Sequence, residues 1–357
     1  MVHTVHSDIF PNLYRISVAL PGNPLKSLNS YVIVGADRNL IVDTGFNLPE
    51  SLEDLRGGIG ELGLDMGKTD IFLTHFHADH CGLVPRIVSP DSVVYMSALD
   101  RDLFNDVMDN GEDFWTLVGK RLLDEGYPRD ELTRTQMANP ARKYLPEVKF
   151  DSVPVAEGTR LSYGDFRLEC VWTPGHTPGH VCLYDKAKGV FFSGDHVLFD
   201  ITPNITAWAT MPNSLQHYLN SLMKVRDYPV RVTLTGHREN DGVLSERVDQ
   251  LIAHHENRLA DVESILEKHP GLSGYEVASC MKWDIRAKTW ADFPPGQRWF
   301  AVGEALSHLN CLIAQGKAKK IEKGGVNTYF HTYFPDTGPN TPLGHPQHSF
   351  DGADKWK

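Results

Sequence analysis

Apolar positions along the first third of the chain fall in short β-branched blocks. Leu13-Tyr-Arg-Ile-Ser-Val, Ser30-Tyr-Val-Ile-Val and Leu40-Ile-Val-Asp43 are separated by Gly, Pro and Asn, the punctuation expected between strands. Pro49 to Leu64 carries helical spacing, Lys68 to Thr74 is a short apolar strand, and Val93-Val-Tyr-Met is another. Between 97 and 146 the period changes. Leu103, Phe104, Val107 and Met108, then Trp115, Leu117, Val118 and Leu122, recur at helical spacing with no strand pattern among them. The spacing predicts a helical insertion, expected to cover a cleft with apolar contacts from Phe104, Phe114 and Trp115. Strand patterns resume at Phe166–Trp172, Val181–Asp185 and Val190–Ser193. An amphipathic helix over Ser214–Val225 and a strand over Arg231–Thr235 follow.

From Ser245 to His269 the pattern is one long helix, stopped at Pro270-Gly271. Gly274–Met281 and Trp299–Gln315 read as further helices, and residues 318–330 as a hairpin turning at Gly324-Gly325. Helix, helix, two-stranded wing is the order of a winged-helix-like module. The expected organisation is therefore 1–244 as a catalytic unit with the 97–146 insertion, 245–334 as the C-terminal module, and 335–357 as a Pro-, Gly- and His-rich tail. The short turn from Arg238 to Leu244 leaves no room for a linker. His254-His255 sits on a polar stretch of the long helix and is expected to be solvated.

Composition narrows the function classes. The 357 residues are 41% hydrophobic and 23% charged, ordinary for a globular chain, and the net charge is −11. That balance disfavours a nucleic-acid coat or a binder of anionic membranes. Residues 251–357 carry 12 Lys and Arg against 12 Asp and Glu, with Lys317, Lys319, Lys320 and Lys323 as the sole basic cluster. The module is expected to pack or dimerise, giving a homodimer, rather than to bind nucleic acid. No apolar run approaches the ~20 residues of a membrane span, and no secretory signal is visible. The five cysteines form no C-x-x-C pair, which fits a reducing cytoplasm.

The chemistry concentrates in His75-x-His77-x-Asp79-His80, directly after the Lys68–Thr74 strand. Imidazole and carboxylate suit Zn²⁺, with Fe or Mn as alternatives. A regular helix would scatter these positions around its circumference. A loop can turn His75 and His77 to one side and Asp79 and His80 to another. Three more ligand-type residues stand where strands end, each after a glycine: His176, Asp195 and His237. Glycine there lets the backbone bend close to a bound ion.

These seven positions, in this order, resemble the metallo-β-lactamase superfamily, whose motif is His-x-His-x-Asp-His, then His, Asp and His. The resemblance covers roughly residues 10–240 and implies an αββα sandwich of α/β (α+β) class. It implies two divalent ions: His75, His77 and His176 on the first, Asp79, His80 and His237 on the second, and Asp195 bridging both. It implies hydrolysis by a metal-bridging hydroxide, with Asp79 orienting the nucleophile or passing its proton on. The flavodiiron type has Glu where His77 stands, and the persulfide dioxygenase type lacks the last His, so hydrolysis is favoured over redox chemistry. Asp43 resembles the Asp that fixes the ligand loop from behind. His180 is expected to be catalytic, facing the substrate or supporting a ligand, and His196 to support or pack behind one. Cys81 is expected to be buried. Thr202, Asn204 and Trp208, after Asp195, are candidate substrate contacts, with Trp115 from the insertion. The expected substrate is a small-molecule ester, thioester or lactone. The alternatives are a metal-dependent endoribonuclease and a winged-helix regulator that senses a ligand.

Overall fold

Two β-sheets stacked face to face organise the chain, as seen in a computed structural model that describes residues 2–4, 10–239, 241–284 and 287–333. The tail expected at 335–357 lies outside these residues. The first sheet has seven strands in chain order: β1 (Val2–Thr4), β2 (Leu13–Ala19), β3 (Ser27–Ile33), β4 (Asn39–Val42), β5 (Thr69–Phe72), β6 (Val94–Ser97) and β7 (Val153–Val155). Pairing is antiparallel from β1 to β4 and parallel from β4 to β7. The second sheet has five strands: β8 (Arg160–Tyr163), β9 (Phe166–Trp172), β10 (Val181–Asp185), β11 (Val190–Gly194) and β12 (Val232–Thr235). Its order is β12-β11-β10-β9-β8, and only β11 and β12 run parallel.

The side-chain alternation seen in the sequence becomes this stacking. In β9, Phe166, Leu168 and Cys170 are buried while Arg167 and Glu169 are exposed. Facing them across the inter-sheet core are Leu13, Tyr31, Ile33, Val42 and Phe72. β4 and β5 are buried at every position, because helices cover the other face of the first sheet. There Ile16, Val32, Ile41 and Ile71 pack with Leu55 and Ile59 of α1 (Pro49–Glu61), and with Cys81 of α2 (Ala78–Cys81) and Val84 of α3 (Val84–Ile87). On the outer face of the second sheet, Cys182, Tyr184 and Phe191 pack against Leu215, Tyr218 and Leu222. The layers are helix, sheet, sheet, helix, the αββα order expected.

Residues 97–146 are helical, as α4 (Ala98–Asp124), α5 (Arg129–Met137) and α6 (Pro140–Tyr144). Phe104 does not line a cleft; it is buried against Phe150 in the core beneath the first sheet. α7 (Ser214–Arg226) and α8 (Leu244–Lys268) follow, then β13 (Leu272–Ser273), α9 (Gly274–Cys280), α10 (Pro295–Ala314), β14 (Ala318–Lys323) and β15 (Val326–His331). The expected hairpin is present, but β13 joins it to make a three-stranded sheet. Leu122 and Tyr127 from the insertion share one core with Val262, Leu266, Val302, Leu309 and Tyr329. The insertion and the C-terminal elements are therefore one packed body.

His255 corrects the expectation of a solvated pair: it is fully buried, its Nδ1 3.2 Å from His308 Nε2. Polar neighbours at 254 and 256 masked an inward helix face that continues Leu251 and Val262. β7 and β8 carry no clear sequence signal. Val153-Pro154-Val155 is a three-residue strand, where a proline is tolerated at a sheet edge. All five cysteines are free, and four, Cys81 among them, are buried. Among the described residues no helix is long and apolar enough to cross a membrane.

Candidate metal centre

The seven ligand-type residues converge where strands end. His75 and His77 lie in the loop after β5, Asp79 and His80 in α2, His176 between β9 and β10, Asp195 directly after β11, and His237 directly after β12. Two of the preceding glycines are required. Gly194 has φ +49°, and a Cβ there would stand 2.8 Å from His180 Nε2 and from Thr74. A Cβ on Gly236 would stand 2.6 Å from Asp195 Oδ1.

Three nitrogens meet first. His77 Nδ1 lies 3.0 Å from both His75 Nε2 and His176 Nε2. One ring nitrogen has a single in-plane proton or lone pair, so it cannot make full hydrogen bonds to both. Nitrogens shared by one tetrahedral ion at ~2.0–2.1 Å would sit about 3.3 Å apart, close to this spacing. Burial lowers the pKa of all three rings: His75 well below its ordinary value, His77 to about 3, and His176 in the same direction. All three are therefore neutral, the form that donates a lone pair to a metal.

The second group is Asp79, His80 and His237, and Asp195 stands between the groups. Asp195 Oδ2 lies 3.7 Å from His176 Nε2, while its Oδ1 lies 3.6 Å from both His80 Nε2 and His237 Nε2. His237 Nε2 is 3.4 Å from Asp79 Oδ2. These distances exceed good hydrogen bonds. His80 Nε2, His237 Nε2 and Asp195 Oδ1 are buried with no hydrogen-bond partner among the described residues. Buried polar atoms without a protein partner and aimed at one point suit a bound cation, so the donor set fits metal binding. Burial opposes charge on every member. The neighbouring histidines nevertheless hold Asp195 well below the usual carboxylate range, and His237 with His80 pulls Asp79 down to about 2. Burial likewise opposes charge on His80, but Asp43 and Asp195 raise it well above its ordinary value. Both carboxylates are ionised, the form in which they can hold a cation.

His80, His176 and His237 are each oriented from behind. His176 Nδ1 donates to the Asn204 carbonyl at 2.8 Å, and His237 Nδ1 to the Ser27 carbonyl at 2.8 Å. Asp43, with φ +61°, accepts from Thr74 N at 2.9 Å, Thr74 Oγ1 at 2.8 Å and His80 Nδ1 at 2.8 Å. These bonds tie Asp43 to Thr74 and His80, which flank the loop that carries His75 and His77.

The remaining candidates fall in different places. His180 is fully buried, with Nδ1 2.9 Å from Thr173 Oγ1 and Nε2 accepting from Asp195 N at 3.2 Å. Both nitrogens are engaged, so it sits behind the Asp195 backbone and does not face a substrate. His196 packs between His180 and Tyr218. Trp208 stacks on His77 at 6.2 Å between centroids and donates from Nε1 to the His176 carbonyl at 3.1 Å. Thr202 is half-buried. Asn204 is not free for a substrate: its amide donates to Glu304 Oε2 at 3.0 Å and the Phe300 carbonyl at 3.3 Å. Trp115 is buried against Trp299, Phe114 and the Arg142 guanidinium, not against the histidine cluster. A long helix gives no sign in sequence of which end of its apolar face reaches a cleft.

The sequence does not single out Asp100. Fully buried at the start of α4, it accepts from Phe76 N at 3.1 Å, Thr177 Oγ1 at 2.7 Å and Gly179 N at 2.6 Å. Its local pattern, an Asp in a first helical turn after Ser97, is that of any capped helix.

Comparison with known proteins agrees with this geometry. A crystal structure of a metallo-beta-lactamase family protein from Thermus thermophilus is similar at 29% identity and TM-score 0.74, over 90% of this chain and 99% of that one. The beta-lactamase-like protein 2 homolog of Caenorhabditis elegans is 23% identical over 87% of this chain and 84% of its own length. An atrochrysone carboxyl ACP thioesterase of Aspergillus novofumigatus is 24% identical over 59% of this chain and 52% of its own. Residues 24–237, a span holding all seven ligand-type positions, match the metallo-beta-lactamase superfamily profile, and the chain belongs to that superfamily.

Proposed function

We propose that the protein is a binuclear metallohydrolase acting on the ester, thioester or lactone of a small metabolite. The observation that carries this reading is the set of buried, unpartnered atoms around Asp195, to which both histidine groups point. His75, His77 and His176 would hold the first ion, Asp79, His80 and His237 the second, and Asp195 would serve both. Imidazole nitrogen and carboxylate oxygen suit zinc, with iron or manganese as alternatives. Two such ions supply Lewis acidity toward an acyl oxygen and acidify water near neutral pH.

The chain's own groups supply the rest. Asp79 stays ionised and, being half-buried, reaches the cleft, where it orients the attacking water. Phe76 and Trp208 flank His77 and offer an apolar wall to the acyl part of a substrate. His180 holds the Asp195 backbone. The similarity to a protein named as a thioesterase supports acyl transfer to water and places thioesters first among substrates to try.

The test is a panel of acyl-CoA, acyl-glutathione, lactone, simple ester and unstructured RNA substrates, run before and after chelation. The expected result is chelator-sensitive turnover of an acyl substrate that returns with added zinc. Turnover confined to RNA, or activity indifferent to chelation, would overturn the reading.

A further inference from the structure

The C-terminal helix α10 reaches the histidine cluster through the Glu304 side chain and then the side chain and main chain of Asn204. Glu304 on α10 is buried, and its Oε1 lies 2.9 Å from Arg258 Nε of α8. Arg258 is itself held, with its guanidinium 4.3 Å from the Trp283 ring centroid and its Nη1 donating to the Lys282 carbonyl at 3.0 Å. The other Glu304 oxygen accepts from the Asn204 amide at 3.0 Å. Asn204 in turn presents its main-chain carbonyl to His176 Nδ1 at 2.8 Å. A proton fixed on Nδ1 leaves the lone pair on Nε2, the atom that meets His75 and His77.

The contact is close over the whole segment. Ala207 N donates to the Gly303 carbonyl at 3.2 Å, and a Cβ on Gly303 would stand 2.2 Å from Thr206 Oγ1. One residue on, Trp208 stacks against His77. The segment touching α10 thus backs two of the three rings in the first group.

We propose that Glu304 is a positioning residue for the first metal site, so that the C-terminal helices set the affinity of that site. The inference rests on the metal reading above. Burial raises the Glu304 pKa, with Arg258 and Asn204 acting against it. Gln at this position keeps an acceptor of the same shape for the Asn204 amide, which gives the conservative variant its use.

The experiment compares wild type with Glu304→Ala, Glu304→Gln and Asn204→Ala. Each is stripped and titrated with Co²⁺, reading d–d absorption and chelator competition alongside the melting temperature of the stripped protein. Outer partners of a metal-bound histidine are worth roughly 10–100-fold in affinity. Glu304→Ala is expected to weaken the first ion by about tenfold or more and to shift its absorption, leaving the second ion within about twofold. Glu304→Gln restores most of the affinity. Asn204→Ala, which leaves the Arg258–Glu304 pair intact, reproduces the first-site loss and decides the matter if Glu304→Ala does not fold. Wild-type affinities and spectra in the alanine variants would overturn the inference. So would both ions weakening together in step with the melting temperature, which is what a merely structural role produces. A wild type that takes up no Co²⁺ at all would instead overturn the metal reading, and this inference with it.

Discussion

The Asp100 carboxylate accepts the Thr177 hydroxyl at 2.7 Å, and through this contact the loop carrying His176 is tied to the loop carrying His75 and His77, whose Phe76 N it also accepts. One buried side chain thus joins ligand loops that follow strands of different sheets. Replacing it with alanine strands three buried donors, each costing about 1–3 kcal/mol. Asp100→Ala is expected to lose roughly 3 kcal/mol of unfolding free energy and to lower metal retention at the His75–His77–His176 group. Urea unfolding and elemental analysis of the purified variant measure the two effects.

Asp100 also gives a pH dependence. Burial pushes its pKa up to about 7, against the hydrogen bonds from Thr177, Gly179 and Phe76 that pull it down. The unfolded chain releases this proton near the ordinary value of about 3.9. Between these values the folded state binds more protons than the unfolded one, so this group's contribution to stability falls as pH rises from about 4 to 7. Asp100→Asn carries no titrating proton. The difference in unfolding free energy between wild type and Asp100→Asn, in metal-stripped protein, should shift against wild type over that window. A pH-independent difference would contradict the assignment.

Asp43 separates orientation from charge. Its left-handed backbone suits Asn as well as Asp. Asp43→Asn should therefore fold, while losing the carboxylate that fixes His80 Nδ1 and Thr74. Metal affinity is expected to fall roughly 10–100-fold with little change in secondary structure. Chelator competition and far-ultraviolet circular dichroism check both halves.

The C-terminal elements are predicted to be inseparable from the sandwich. Leu251 of α8 is fully buried with Leu215, Tyr218 and Leu222 of α7. Leu251→Ala should cost about 2–5 kcal/mol in urea unfolding. A chain ending before α8 should be insoluble or fail to retain metal. Charge reversal at Lys319, Lys320 and Lys323 should leave small-substrate turnover unchanged. A truncated chain that stays folded and active would show a detachable module instead.

The seven ligand-type residues were legible in the sequence because each carries its own signal: a metal-binding residue type near the end of a readable strand. Asp43 stood out only through the resemblance to the superfamily, which has an Asp behind the ligand loop. Asp100, Asn204 and Glu304 were not legible, because their roles depend on which loops come together. In Asn204 the atom that orients His176 is a main-chain oxygen, which no residue type announces. Trp115 shows the converse limit. Its helical spacing suggested a contact lining a cleft, whereas it is buried against Trp299. The αββα layers were expected from the resemblance to the superfamily, while strands such as β9 were legible in their own pattern. β7 and β8 escaped because three or four residues at a sheet edge carry too little pattern to register.

The central claim is that Asp195 stands between two metal sites, and metal content measures it most directly. Wild type purified without chelator should hold about two ions per chain, the content of a two-metal site. His237→Ala should retain about one, since it removes a ligand only from the group with Asp79 and His80. Asp195→Ala should fall toward none, because Asp195 Oδ1 faces His80 and His237 while Oδ2 faces His176. One ion in wild type, unchanged by His237→Ala, would contradict the account.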